Sequence, residues 1–264
     1  MPVSLLIVGG GKMGGALLGG LLASGWATAG EIAVVEPIAE RRDELALLFP
    51  GLAVHDAPPA ESGGAVLAVK PDAAEGACRV LSAVGVPRLL SIVAGIPSAR
   101  LESALGGQPA VVRAMPNTPA QVGAGVTAIS GGSFATSADL AWAEGIMSAV
   151  GTVVRLPERL LDAVTGLSGS GPAYFFLVAE ALMEAGVQMG LTRDVSRTLV
   201  VETMLGSAKL LAESGQDPEA LRAMVTSPAG TTAAGIRALE SRAVRSAFME
   251  AVAAATERSR SLQR

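Results

Sequence analysis

Six residues near the start, Gly9-Gly10-Gly11-Lys12-Met13-Gly14, constrain the fold more tightly than anything else in the chain. They have the spacing G-x-G-x-x-G, follow an aliphatic run that ends at Val8, and open a stretch with helical period. In such a turn Gly9 permits the sharp reversal, Gly11 lets backbone approach a pyrophosphate, and Gly14 lets the helix pack close to the strand. The start of the helix then offers unpaired N–H groups and a positive dipole end to phosphate. Alone, a hexamer like this is also what a ligand-free glycine turn looks like. The strand before it, the helix after it and a second strand at Glu31–Val35 favour a dinucleotide site.

The same alternation continues. Candidate strands lie at Ser4–Val8, Glu31–Val35, Ala65–Val69, Arg88–Val93, Ala110–Met115, Val126–Ser130 and Thr152–Leu156. Helical stretches separate several of them, at Met13–Ser24, Ala39–Phe49, Asp72–Ala83 and Ser137–Ala149. Near-continuous apolar strands alternating with helices imply a parallel sheet covered on both faces. After Pro157 the strand signal stops, and Pro172–Gly190, Arg193–Ser214, Pro218–Val225, Thr231–Ser241 and Ala243–Leu262 read as helices. The expected class is therefore α/β, with a Rossmann-type dinucleotide-binding domain over 1–156 and an all-α domain over 157–264. Arg193–Ser214 is apolar around much of its circumference, and so small a helical domain has difficulty burying it alone. Pairing with a second copy is the favoured solution.

Composition narrows the chemistry. Of 264 residues half are apolar, but only eight are aromatic, and the formal charge is −4. That speaks against a nucleic-acid partner, which wants basic and stacking surfaces. One cysteine, Cys78, and one histidine, His55, leave no multi-Cys or His-rich metal centre and little scope for nucleophilic hydrolysis. The uncharged run from Met13 to Gly30 is broken by six glycines and has no basic segment before it, so no membrane or secretory segment is expected and the setting is cytoplasmic.

Other residues fall where a nucleotide site would need them. Glu36 ends the second strand, 22 residues beyond Gly14, where an acid accepts hydrogen bonds from an adenosine ribose and repels a 2′-phosphate. This favours use of NADH beside NADPH, with Arg41 and Arg42 placed to oppose the preference. Lys70-Pro71 lies at the carboxyl end of the third strand, the edge where open α/β sheets bind ligands. Arg113-Ala114-Met115-Pro116-Asn117-Thr118-Pro119 runs a strand into a stiff loop that positions Asn117. In Ser227-Pro228-Ala229-Gly230-Thr231-Thr232, Ser227 reads as a helix cap with Pro228 in the first turn, and the hydroxyls and N–H groups together suit a small carboxylate. Plain helix capping explains the same residues.

The motifs combine into a pattern that resembles the pyrroline-5-carboxylate reductase family over essentially the whole chain. It rests on the glycine loop, Leu67-Ala68-Val69-Lys70-Pro71, Val93-Ala94-Gly95, the segment 113–119, the segment 161–174, and 225–232 with Leu239-Glu240. The resemblance implies reduction of (S)-1-pyrroline-5-carboxylate, a cyclic imine carboxylate, to L-proline with NADPH or NADH, the last step of proline biosynthesis. It places the cofactor along Val8, Gly9, Gly10, Gly11, Lys12, Met13, Glu36, Ala68, Val69, Lys70, Pro71 and Ala94, with Asn117 at the same edge. Glu158, Ser227, Gly230, Thr231 and Thr232 match substrate contacts, Thr232 being the catalytic candidate. A homodimer, in many relatives a ring of dimers, is implied as well. The sequence departs from the family in having Ala229 where glycine is usual, Met224 where asparagine is frequent, and an acid at Glu36.

Imine reduction suits this inventory. It needs a hydride donor, a proton and a grip on a carboxylate, and demands no metal or strong nucleophile. A hydroxyacid dehydrogenase with the same domain order wants a catalytic lysine on the first helix of its second domain, and Pro172–Gly190 has none. A dinucleotide sensor without turnover would not need the hydroxyls at 227, 231 and 232.

Overall fold

The aliphatic runs form one eight-stranded sheet in the computed structural model of the protein, which describes residues 3–107 and 109–262; the outermost residues of the two expected domains, 1–2 and 263–264, lie outside it. Its strands are β1 (Leu5–Val8), β2 (Ile32–Val35), β3 (Ala53–His55), β4 (Ala65–Leu67), β5 (Arg88–Ser91), β6 (Ala110–Met115), β7 (Gly125–Gly131) and β8 (Gly151–Arg155), in the order β3-β2-β1-β4-β5-β6-β7-β8. From β3 to β6 all pairs are parallel, with Leu6 opposite Ala33 on one side and Ala65 on the other. The expectation of a parallel sheet fails at one seam. β7 runs antiparallel to β6, with Met115 opposite Ala128, and β8 follows β7 in parallel. Only residues 116–124 join β6 to β7, too few for the crossover that a parallel partner requires.

Successive strand residues point to opposite faces, and both faces are dry. Leu5 and Ile7 pack with Leu17, Leu18 and Leu21 of α1 (Lys12–Ala23), Leu45 of α2 (Ala39–Leu48), and Ile146 and Met147 of α5 (Ser137–Ser148). Leu6 and Val8 pack with Cys78 and Leu81 of α3 (Ala74–Ala83) and Leu101 of α4 (Ser98–Ala104). Burial on both faces is why these strands read as continuous apolar runs. Three elements had no signal in the sequence: β3, α4 and the short helix Leu161–Val164. Each is shorter than the window in which periodicity becomes visible.

Residues 3–170 and 253–262 make up one compact unit and 171–252 the second. Between β8 and the second unit, α6 (Leu161–Val164) runs into a π-helical turn at Thr165–Gly169. The second unit holds α7 (Gly171–Gln188), α8 (Arg193–Ser214), α9 (Pro218–Met224), α10 (Thr231–Glu240) and the start of α11 (Val244–Ser261). Thr192 caps α8 by accepting from the Val195 N–H, and Gly215, at φ +66°, ends it. α7 and α8 approach closely at Gly186, where a Cβ would strike the buried Ser196 hydroxyl, which donates to the Met183 carbonyl at 2.8 Å. The unit leaves large apolar groups uncovered, among them Phe175, Phe176, Leu177, Leu199 and Leu205. Among the described residues no helix is long and apolar enough to cross a membrane.

Candidate active site

Strand order reverses between β1 and β4, and the glycine loop lies at that switch point. Gly9 sits at φ +106°, and a Cβ there would be 2.5 Å from the Ala68 carbonyl oxygen. A side chain at Gly14 would collide with the Gly9 carbonyl. Gly11 differs from both, because nothing lies within 4 Å of where its Cβ would be. It forms the N-cap of α1, and no side chain caps that helix. Open space beside an uncapped helix start fits the pyrophosphate of a dinucleotide. Val8, Gly9, Gly10, Gly11, Lys12 and Met13 thus lie on one continuous edge, with Ala68, Val69, Lys70 and Pro71 on the neighbouring strand end. Lys70 is exposed and begins a short 3-10 turn at Pro71–Ala73.

Glu36 is buried, and both its carboxylate oxygens are already in use. Oε2 accepts from the Gly10 N–H at 2.9 Å and Oε1 from the Ile38 N–H at 3.1 Å. Arg41 Nε donates to the Gly10 carbonyl at 2.7 Å, so the Gly10 residue is held at both its amide and its carbonyl. Arg42 Nη1 donates to the carbonyls of Glu36 and Pro37. The residues the sequence assigned to ribose and phosphate selectivity therefore also shape the loop.

Ala94 is half-buried in the loop between β5 and α4. Asn117 is buried and its amide bridges two other segments: Oδ1 accepts from the Val126 N–H at 2.9 Å, and Nδ2 donates to the Ser168 carbonyl at 3.2 Å. It ties the β6–β7 loop to the π-helical turn. A Cβ at Gly169 would lie 2.7 Å from the terminal methyl of Met115, so the π-helical turn runs close beside the end of β6.

The sequence singled out Arg113 only as part of a motif; the structure gives it a partner. Glu158 Oε1 accepts from Arg113 Nη1 at 2.7 Å and from the Ser98 N–H at 2.8 Å, while Oε2 accepts from the Ser98 hydroxyl at 2.6 Å. Burial alone pushes the Glu158 carboxyl up, but the Ser98 and Arg113 donors outweigh it and hold it below the usual carboxylate range. Burial pushes the Cys78 thiol up to about 11, which leaves it protonated and unreactive at neutral pH. His55 is exposed at the end of β3, and no metal-binding cluster occurs among the described residues.

In the second unit the segment 227–232 corrects the sequence reading. Gly230, rather than Ser227, is the N-cap of α10, and Pro228 lies outside the helix. The Gly230 N–H donates to the Ser227 carbonyl at 3.1 Å, closing a turn with Pro228 second and Ala229 third. Ala229 stands at φ +57°, the left-handed conformation that a type II turn demands at that place and that no first helical turn contains. A Cβ on Gly230 would strike the Ser227 hydroxyl, so glycine here keeps that hydroxyl close to the helix start. α10 has no side-chain cap, and its first residues are Thr231, exposed, and Thr232, half-buried. Two hydroxyls and free N–H groups at a helix start can hold a carboxylate.

A family model described as NADP oxidoreductase, coenzyme F420-dependent, matches residues 4–95, and one described as pyrroline-5-carboxylate reductase dimerisation matches residues 158–262. Fold and site define an NAD(P)-dependent oxidoreductase with a helical oligomerisation module. Pyrroline-5-carboxylate reductases of Synechocystis sp. and Methanosarcina acetivorans are 44% and 43% identical, covering 99% and 97% of this chain and 99% and 96% of their own. The solved pyrroline-5-carboxylate reductase of Coxiella burnetii superposes with a TM-score of 0.90 at 34% identity over the full length of both chains; that of Plasmodium falciparum, with NADP bound, gives 0.88 at 30% identity, covering 99% and 98%. The chain belongs to the pyrroline-5-carboxylate reductase family.

Proposed function

We propose that this protein reduces (S)-1-pyrroline-5-carboxylate to L-proline with NADPH or NADH. The observation that carries the reading is the turn at Ser227–Gly230, which leaves the start of α10 uncapped beside the hydroxyls of Ser227, Thr231 and Thr232. When bound, the dinucleotide supplies the hydride. The chain's own work is then to hold two anions and to orient one imine. Gly11 and the start of α1 take the pyrophosphate, with Lys70 at the neighbouring strand end. Ser227, Gly230 and Thr231 hold the substrate carboxylate. Thr232 hydrogen-bonds the imine nitrogen and fixes its orientation; a threonine hydroxyl is too weak an acid to do more than pass a proton along. Glu36 supports NADH use beside NADPH, because an acid at the end of the second strand of such a fold repels a 2′-phosphate.

The same proposal takes residues 157–264, of which 171–252 form the separate helical unit, as the dimerisation and substrate region of a cytoplasmic homodimer, which further contacts extend into a ring of dimers. The test is an assay of NAD(P)H oxidation with pyrroline-5-carboxylate on purified protein, with Thr232→Ala and Thr231→Ala alongside. Thr232→Ala lowers kcat/KM by about 10–10³-fold, the loss of one or two well-placed hydrogen bonds at about 1.4 kcal/mol per decade. Thr231→Ala mainly raises KM, because the carboxylate is held equally in ground and transition states. A wild-type protein that binds NAD(P)H but does not turn over this imine sinks the proposal. Near-wild-type kinetics in Thr232→Ala reduces the 227–232 turn to a structural one.

A further inference from the structure

Left-handed backbone outside glycine occurs at two of the described residues, Ala229 at φ +57° and Ala243 at φ +55°, and the two flank one helix. Ala229 lies two residues before α10, and Ala243 three after its last residue, Glu240. Such backbone strains an alanine where it would not strain a glycine, and it persists only where the surroundings hold it. Little of that hold is apolar, because within one chain neither α9 nor α10 has a buried residue.

Polar ties hold both turns instead. The Thr226 hydroxyl donates to the Arg222 carbonyl at 2.6 Å and closes the end of α9 immediately before Ser227. The Ala243 N–H donates to the Glu240 carbonyl at 3.0 Å and closes the second turn. An ion cluster spans the two. Glu240 Oε1 accepts from Arg245 Nε at 2.7 Å and is 4.0 Å from Arg222 Nη1. Arg222 precedes the first turn and Arg245 follows the second, so one carboxylate links the segments that enter and leave α10. By itself an acid is unfavourable at the carbonyl end of a helix, and here two guanidinium groups offset it. Glu240 belongs to the Leu239-Glu240 pair of the family pattern. It stands about 14 Å along α10 from Thr231, at 1.5 Å per residue, too far to touch a small substrate held at the helix start.

We propose that Glu240, between Arg222 and Arg245, is a positioning residue for the imine: it braces the two strained turns around α10 and so keeps the Ser227–Gly230 turn in the conformation that receives the carboxylate. This rests on the reading of 227–232 as the carboxylate site.

The experiment uses the full-length protein and measures kcat and the KM for pyrroline-5-carboxylate at saturating NADPH, with NADPH affinity by nucleotide fluorescence and oligomeric state by light scattering. Wild-type turnover, and a raised KM in Thr231→Ala, test the underlying reading separately. Glu240→Gln is expected to raise the imine KM about 3–10-fold, with kcat within about twofold and with NADPH affinity and oligomeric state unchanged. Glu240→Asp is expected to recover part of the loss. In an Ala229→Gly background, where glycine adopts the left-handed turn without strain, Glu240→Gln is expected to raise KM by less than it does beside Ala229. An unchanged imine KM in Glu240→Gln, a rise of the same size with and without Ala229→Gly, or an equal weakening of NADPH overturns the proposal. Should Glu240→Gln fail to fold or assemble, Arg222→Gln decides by the same readouts.

Discussion

The two units handle their surfaces in opposite ways. In the sheet-containing unit most large apolar residues are inside, with scattered exceptions such as Leu47 and Val122, and the functional polar groups are tied down: Gly10, Glu36, Asn117 and Glu158 all have partners within the same unit. In the helical unit the apolar residues are largely outside. Phe175 and Phe176 of α7 and Leu205 of α8 are each more than 60% exposed, and the hydroxyls of the 227–232 turn lie near the surface. Burying one leucine stabilises by about 1.5–3 kcal/mol, so a face of this kind is stable in water only when covered. The match of residues 158–262 to a dimerisation family gives that exposure its reason. One unit is finished by its own chain, and the other is finished by assembly.

Changes to the helical face bear hardest on this contrast. Val201 and Leu205 lie four apart on α8 and are both exposed, so glutamates at the two positions cost the isolated chain little and the assembly a great deal. Light scattering is expected to report loss of the oligomer, with activity falling at least about 100-fold. A fully active monomer of this variant breaks the comparison. In the sheet unit, Glu36→Ser acts twice. It removes the charge proposed to oppose a 2′-phosphate and also the acceptor of the Gly10 N–H. The ratio of kcat/KM for NADPH over NADH is expected to rise about tenfold while kcat/KM for NADH falls. An unchanged ratio would mean that Arg41 and Arg42 govern selectivity.

Smaller effects sharpen the same contrast. Ala229 pays for its left-handed backbone, and Ala229→Gly is expected to raise stability by about 1 kcal/mol, read as a higher denaturant midpoint at constant slope. Glu158 provides a pH test confined to the sheet unit. Its folded-state pKa lies below the unfolded value near 4.5, so its contribution is complete above that value and is lost as pH falls through the folded one. Thermal scans from pH 6 to about pH 3 are expected to show a steeper decline for wild type than for Glu158→Gln.

Much of this was legible in the sequence, and the exceptions share a cause. β1, β2 and α1 were plain because burial on both faces leaves continuous aliphatic runs and because the glycine loop needs three backbone positions without side chains. The direction of β7 was not, since an apolar run encodes burial and not polarity; the short connection at 116–124 decides it. The occupied state of Asn117, Glu36 and Glu158 depends, apart from the Ile38 N–H on Glu36, on partners 9 to 60 residues away, which no local pattern reveals. At Ala229 the pattern misled: Ser-Pro ahead of a helix suggests a cap, and the residue that turns the chain is an alanine in a glycine's conformation.

The solitary thiol gives each unit a different visibility to chemical labelling. Cys78 is wholly enclosed between α3 and the sheet, and the helical unit contains no cysteine. A maleimide or disulfide reagent therefore reacts only when the sheet unit opens, at a rate set by the population of that opening and blind to events among the helices. Labelling followed across a titration of NAD(P)H then measures how much the nucleotide tightens the sheet unit alone, without a single engineered residue.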